Sequence, residues 1–216
     1  NSGQLVWAVE VDWAELSFAA IPPIVLIHGN GSKGDFWKSR GFVGELESQG
    51  IPYDNTITLS TQENPDDSAG DEKGTSNFID TNSTLLKSEI PKRVKQFGAK
   101  AIHIAAHSKG GLDTRDYLAK YYNSDDFKIV SFTTISTPHY GSAGADLIRD
   151  MENSNLLIID IADLASLENI LAMILHNTNG NKDLTTSSCE GFNQFNSSFL
   201  PSGIIYQSIS ANADAS

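Results

Sequence analysis

Apolar residues in this chain gather into short unbroken runs, separated by stretches in which they recur every three or four positions. The runs Val6 to Val11, Ile24 to Ile27, Thr56 to Leu59, Ala101 to Ala105, Ile129 to Ile135 and Ile204 to Ile209 read as strands. From Thr81 to Phe97 the residues Leu85, Leu86, Ile90, Val94 and Phe97 share one face of a helix, with Thr81, Asn82 or Ser83 as its cap, a kink expected at Pro91 and a stop at Gly98. Leu112, Arg115, Asp116, Leu118, Ala119 and Tyr122 continue a second helical pattern. Strands that alternate with helices after Phe36 predict a mostly parallel α/β sheet flanked by helices, with 81–97 as a right-handed crossover. No repeat, linker or second domain breaks residues 1–216, which read as a single core.

Two segments in this frame carry chemistry. Ala105 Ala106 His107 Ser108 Lys109 Gly110 Gly111 follows an apolar run and opens a helical pattern, the setting of a nucleophile elbow. A serine is a weak nucleophile unless the backbone holds its hydroxyl out of the strand end, near a base and near N–H donors; small neighbours make that strained turn possible. Ala106 stands where the G-x-S-x-G pattern has its first glycine. Alone, such a pentapeptide is a common coincidence, and its strand-turn-helix context gives it weight.

Upstream, Pro22 and Pro23 precede Ile24 Val25 Leu26 Ile27 and the turn His28 Gly29 Asn30 Gly31, a buried strand leading into a glycine-rich loop. Such a loop can aim an amide at the oxygen that becomes negative during acyl transfer, and the candidate donors are the amides of Asn30 and Lys109. The other use of a glycine loop, phosphate binding, is unsupported. No G-x-x-x-x-G-K-[ST] occurs, and Gly29, Gly31 and Gly34 do not open a helix as a dinucleotide fingerprint would.

Val25 to Gly29, Ala106 to Leu112, Thr134 to Ser142, and Leu184 Thr185 Thr186 with Phe192 Asn193 and Phe195 Asn196 occur in one order along most of the chain. In these residues the sequence resembles the bacterial secreted lipases of the α/β-hydrolase fold. The resemblance implies that Ser108 is the nucleophile, that Asn30 and Lys109 supply the oxyanion-hole amides and that His28 supports the loop. His107 and His139 fall at positions other than that of the family's catalytic base. Residues 143–177, rich in leucine and isoleucine, lie where the family carries a helical lid, although about half of these apolar residues suit an ordinary core equally well.

The resemblance stops before the triad is complete. In this fold the order is serine, then Asp or Glu, then His, on loops after later strands. After the strand expected at 203–210 only Ala211 Asn212 Ala213 Asp214 Ala215 Ser216 remain, so the sheet is expected to be incomplete at its C-terminal end. The leading expectation is a second polypeptide, the C-terminal portion of the same precursor, carrying the acid and the histidine. One alternative recruits His176, with Asp160 or Asp163 as its acid, and Asp214 is a further candidate acid. Another is a non-catalytic, lipid-binding or regulatory subunit.

Composition narrows this picture further. A net charge of -12 and a pI near 4.7, with no basic stripe, argue against nucleic acid as a partner. The polar stretch Glu63 to Gly74 lacks the ligand spacing of a calcium loop and reads as solvated, no cysteine and histidine cluster has zinc spacing, and no cofactor or metal is expected. The chain opens on Asn1, which fits removal of a leader, and a secreted location is expected. Cys189 is the only cysteine, so it is either a free buried thiol or a link to the second chain. The expected activity is carboxylic ester hydrolysis through an acyl-enzyme, on lipid esters at a lipid–water interface. A polyester or thioester hydrolase would use the same parts.

Overall fold

A computed structural model describes residues 21–30, 32–59, 78–153 and 179–210. The expected strand Val6 to Val11, the acidic stretch 63–74, most of the expected lid, and His176, Asp160, Asp163 and Asp214 lie outside them.

The described elements in chain order are β1 (Ile24–Ile27), α1 (Asp35–Ser39), α2 (Phe42–Ser48), β2 (Tyr53–Asp54), α3 (Ile79–Phe97), β3 (Ala101–His107), α4 (Lys109–Lys120), β4 (Lys128–Ile135), α5 (Ala143–Asn153), α6 (Asn179–Asp183), α7 (Thr186–Asn196) and β5 (Ile205–Ile209). The strands form a wholly parallel sheet in the order β2-β1-β3-β4-β5. Ile27 pairs with Ala106, His107 with Ile135, and Ile135 with Ile209, so the C-terminal ends of β1, β3, β4 and β5 lie side by side.

Alternation along the strands sends side chains to two cores. Val25, Ile27, Ile102, Ile104 and Ala106 face Leu86, Ile90 and Val94 of α3 and Leu118 of α4. Leu26 and Ala105 point the other way, onto Trp37, Val43 and Leu46 of α1 and α2. A third cluster joins Leu112 of α4 to Ile79, Ala145, Leu184 and Cys189 beneath the C-terminal helices.

Two expectations are corrected. The strand expected at Thr56 to Leu59 lies earlier, at Tyr53–Asp54. The Asp54 carboxylate accepts from the Thr56 N–H and hydroxyl, both at 3.0 Å, which turns the chain off the ladder; Ile57 and Leu59 are buried all the same.

α3 begins at Ile79, and its first N–H donates to the Asp183 carboxylate at 2.5 Å instead of to Thr81, Asn82 or Ser83. Asn82 and Ser83 are buried inside the helix, where they bond Asp113 and Asp116. The helical span runs on through Pro91 and stops at Gly98, which adopts φ 60°.

For Cys189 the sequence left two readings open, and the structure agrees with the free buried thiol. It is fully buried, lying 3.4 Å from the Asp183 carbonyl and 3.6 Å from that of Pro138, and nothing in the structure supports a link to a second chain. Burial raises its pKa.

On β5 every residue is exposed, including Ile205 at 58% and Ile209 at 55%. A parallel strand is ordinarily covered on both faces.

Candidate active site

Ser108 sits between the last residue of β3 and the first of α4 with φ 52° and ψ -131°. Positive φ on a residue with a Cβ is strained and persists only where the surroundings enforce it. Here the Ser108 N–H donates to the Ile135 carbonyl at 2.9 Å, and its carbonyl accepts from Gly111 N–H at 3.0 Å. The side chain is half-buried, and among the described residues nothing bonds its hydroxyl. Ser136, at the end of the adjacent strand, also has positive φ, 51°.

The glycines around Ser108 are required by close approach. A Cβ on Gly29 would lie 2.7 Å from the Ser108 Cβ, one on Gly110 would lie 2.2 Å from the His28 carbonyl, and one on Gly111 would lie 2.1 Å from the Thr137 hydroxyl. The elbow therefore packs directly against the loop after β1. Ala106 is accommodated within the α3–α4 core.

His28 ties that loop to the chain beyond β2. Its Nε2 accepts from Leu59 N–H at 3.2 Å, which leaves the proton on Nδ1 to donate to the Gly29 carbonyl at 3.1 Å. Burial lowers its pKa to about 4, so the ring is neutral. Asn30 Nδ2 donates to Asn181 Oδ1 of α6 at 3.1 Å, anchoring the next residue of the loop.

At the start of α4 the first amides have no partner within the helix. Among the described residues neither the Asn30 N–H nor the Lys109 N–H meets an acceptor, and both flank the Gly29–Ser108 contact. The positive end of the α4 dipole lies at the same point. The structure thus brings Ser108, Asn30, Lys109 and His28 together.

Sequence reasoning missed the side chain of Lys109. It is 0% exposed and its Nζ lies 2.6 Å from the carboxylate of Asp113, itself 1% exposed; Asn82 donates to the other carboxylate oxygen at 3.0 Å. Burial pushes the Asp113 carboxyl up to about 6 against the opposing pull of Lys109 and Asn82. A lysine and an aspartate four apart on a face otherwise given to core residues was the available signal.

Of the other described histidines, His139 and His103 are held by hydrogen bonds, whereas His107 Nδ1 is buried with no partner among the described residues. His139 takes a hydrogen bond from Arg115 on Nδ1 at 3.1 Å, so Nε2 carries the proton and donates to the Thr134 hydroxyl at 3.0 Å. Arg115 also donates to Asn193 and lies 4.3 Å from the centre of the Phe192 ring. Burial, and then the Arg115 charge, lower the His139 pKa. His103 bonds the Ser131 hydroxyl across the sheet at 2.8 Å. His107 stacks on Phe36 with centroids 4.3 Å apart, and burial lowers its pKa. It lines a cleft of about 400 Å³ with Phe36, Trp37, Arg40, Phe42, Ile135 and Ser136, beside the elbow.

Among the described residues no set of three His, Cys, Asp or Glu side chains gathers to hold a metal, and no helix is long and apolar enough to cross a membrane.

Residues 24–176 match the model of a protein family described as "Putative serine esterase (DUF676)". Triacylglycerol lipase 2 of Saccharomyces cerevisiae is 40% identical over 84 residues, 37% of this chain and 26% of that protein. A triacylglycerol lipase of Pseudarthrobacter phenanthrenivorans is 25% identical over 186 residues, 80% of this chain and 53% of that protein. The chain thus spans about half or less of the length of these relatives. In architecture it is similar to the crystal structure of the Bacillus licheniformis lipase BlEst2 in mature form, with a TM-score of 0.60 at 18% identity over 91% of this chain and 68% of that one. The fold is that of an α/β-hydrolase.

Proposed function

The chain belongs to the serine esterase family that its residues 24–176 match, and from that premise we propose that it hydrolyses carboxylic esters of lipids through an acyl-enzyme on Ser108. The observation that carries this reading is the strained backbone of Ser108, φ 52°, which presents its hydroxyl beside the Asn30 and Lys109 amides, none of the three bonded among the described residues. Strain held at such a point is the mark of a nucleophile kept ready. The lipid substrate is supported by the triacylglycerol lipases among the relatives.

In this reaction the Ser108 oxygen attacks the ester carbonyl carbon while its proton passes to a base. The carbonyl oxygen becomes an oxyanion that accepts from the Asn30 and Lys109 amides. Collapse of the tetrahedral intermediate expels the alcohol, which takes the proton, and water then releases the acid by the same steps. His28 stays neutral and holds the loop.

The catalytic acid and histidine belong to a second polypeptide in our reading. The observations that support it are the engagement of both ring nitrogens of His28 and His139 and the exposed Ile205 and Ile209 of β5, on whose outer side no strand pairs among the described residues.

The test is the denaturing intact mass of the natively purified protein before and after exposure to a fluorophosphonate. A second polypeptide, together with a mass addition on this chain that disappears in Ser108→Ala, is the expected result. Labelling without a second polypeptide would move the base to His176. An unlabelled chain that still binds lipid vesicles would make it a non-catalytic subunit.

A further inference from the structure

Lys109 occupies the first helical position of α4, where the positive end of the helix dipole disfavours a cation, and its pairing with an aspartate one turn later has the less favourable orientation. Both charges are removed from water. Apolar residues of similar shape in place of such a buried pair are often as stable or more so, so stability alone gives no reason for a lysine here. What sets the position apart is its neighbour: the amide of Lys109 belongs to the peptide group that follows the strained Ser108.

A strained turn relaxes unless it is held from several directions. Ile135 holds the Ser108 N–H, and the His28 carbonyl packs against Gly110. Neither reaches the first turn of α4 from the side of α3. The Lys109 side chain does, because its ion pair with Asp113 spans the turn at 2.6 Å and Asn82 of α3 holds that carboxylate at 3.0 Å. Ser83 of α3 bonds Asp116 one turn further on at 2.6 Å, so the two helices are locked along the same seam.

Resting on the assignment of the Lys109 amide to the oxyanion, we propose that the Lys109 side chain is a positioning residue: its ion pair with Asp113, braced by Asn82, keeps that amide aimed at the developing negative charge. The pair acts on the transition state and leaves substrate binding alone, so its loss appears in kcat and not in KM.

The experiment compares Lys109→Met/Asp113→Leu, which removes both charges and leaves no buried ion unpaired, with Lys109→Arg, which keeps the pair. Each is measured on the natively purified protein, with kcat expressed per fluorophosphonate-titrated serine so that misfolded molecules do not count. We expect the double variant to lose about tenfold in kcat with KM within about twofold, and Lys109→Arg to retain most of the activity. Wild-type kcat per titrated serine in the double variant, or a change confined to KM, would overturn the proposal. Should the double variant not fold, Asn82→Ala, which loosens the brace from α3, must show the same split between kcat and KM. Absence of Ser108 labelling in the wild type is a separate result, which removes the hydrolase reading itself.

Discussion

Gly29 and Ser108 lie so close that a Cβ added to Gly29 would stand 2.7 Å from the Cβ of Ser108 and 2.9 Å from His107 Nδ1. The loop after β1 and the elbow after β3 therefore meet backbone to side chain, and the distance between nucleophile and loop amide is set by the missing Cβ. Gly29→Ala is expected to lower kcat by more than about tenfold, because a displacement of even about 1 Å at a reacting group is costly. Steady-state kinetics with a soluble ester, read beside thermal melting, would separate this from loss of fold. Unchanged kcat would show that the loop moves freely.

His28 makes stability depend on pH. Its folded pKa of about 4 lies below the ordinary 6.5, so the unfolded chain binds a proton first. Its contribution is complete above pH 6.5 and is lost as pH falls toward 4, by about 3 kcal/mol for a shift of this size. Asp113 works in the opposite sense: its folded pKa is raised to about 6, so its contribution is present below its unfolded value of 3.8 and is lost as pH rises through 6. The comparison of wild type with His28→Gln isolates the first effect. Urea midpoints of the wild type should fall more steeply than those of the variant between pH 6.5 and 4.5, and parallel curves would contradict the account.

Cys189 is expected to be inert in the folded protein. The thiol is enclosed by Ile79, Leu112, Ala145 and Leu184, and burial raises its pKa, so little thiolate forms. Ellman's reagent should react only after unfolding, and non-reducing electrophoresis should show no linked species. Cys189→Ala should cost about 1 kcal/mol in stability with kcat unchanged.

Arg115 and His139 form a bridge between α4, the segment after β4 and α7, with Asn193 as its far end. Arg115→Met strands the acceptors on His139 and Asn193, at a cost of about 2 kcal/mol. Because both ring nitrogens of His139 are engaged, His139→Gln should keep kcat within about tenfold of wild type, whereas loss of a true catalytic base costs about 10⁴. A loss of that larger size would make His139 the base.

The parts legible in the sequence share a property: the physics that decides them acts within a few residues. Short apolar runs placed β1, β3 and β4 nearly to the residue, and Gly98 stopped α3 because it accepts φ 60° without strain. Small residues around Ser108 announced the elbow for the same reason, since a turn of that shape has no room for Cβ atoms.

Tertiary structure decided where partners are distant. The N–H of Ile79 is capped by Asp183, 104 positions away, and Asn30 is anchored by Asn181, 151 positions away. β2 fell at Tyr53–Asp54 because the Asp54 carboxylate won the backbone of Thr56 from the ladder. The side chains of Lys109 and Asp113 drew no reading from the sequence, and they are buried because α3 packs over them with Asn82. Burial of a charge is a property of what closes over it, and that is set by the packing of elements far apart in the chain, which no local pattern encodes.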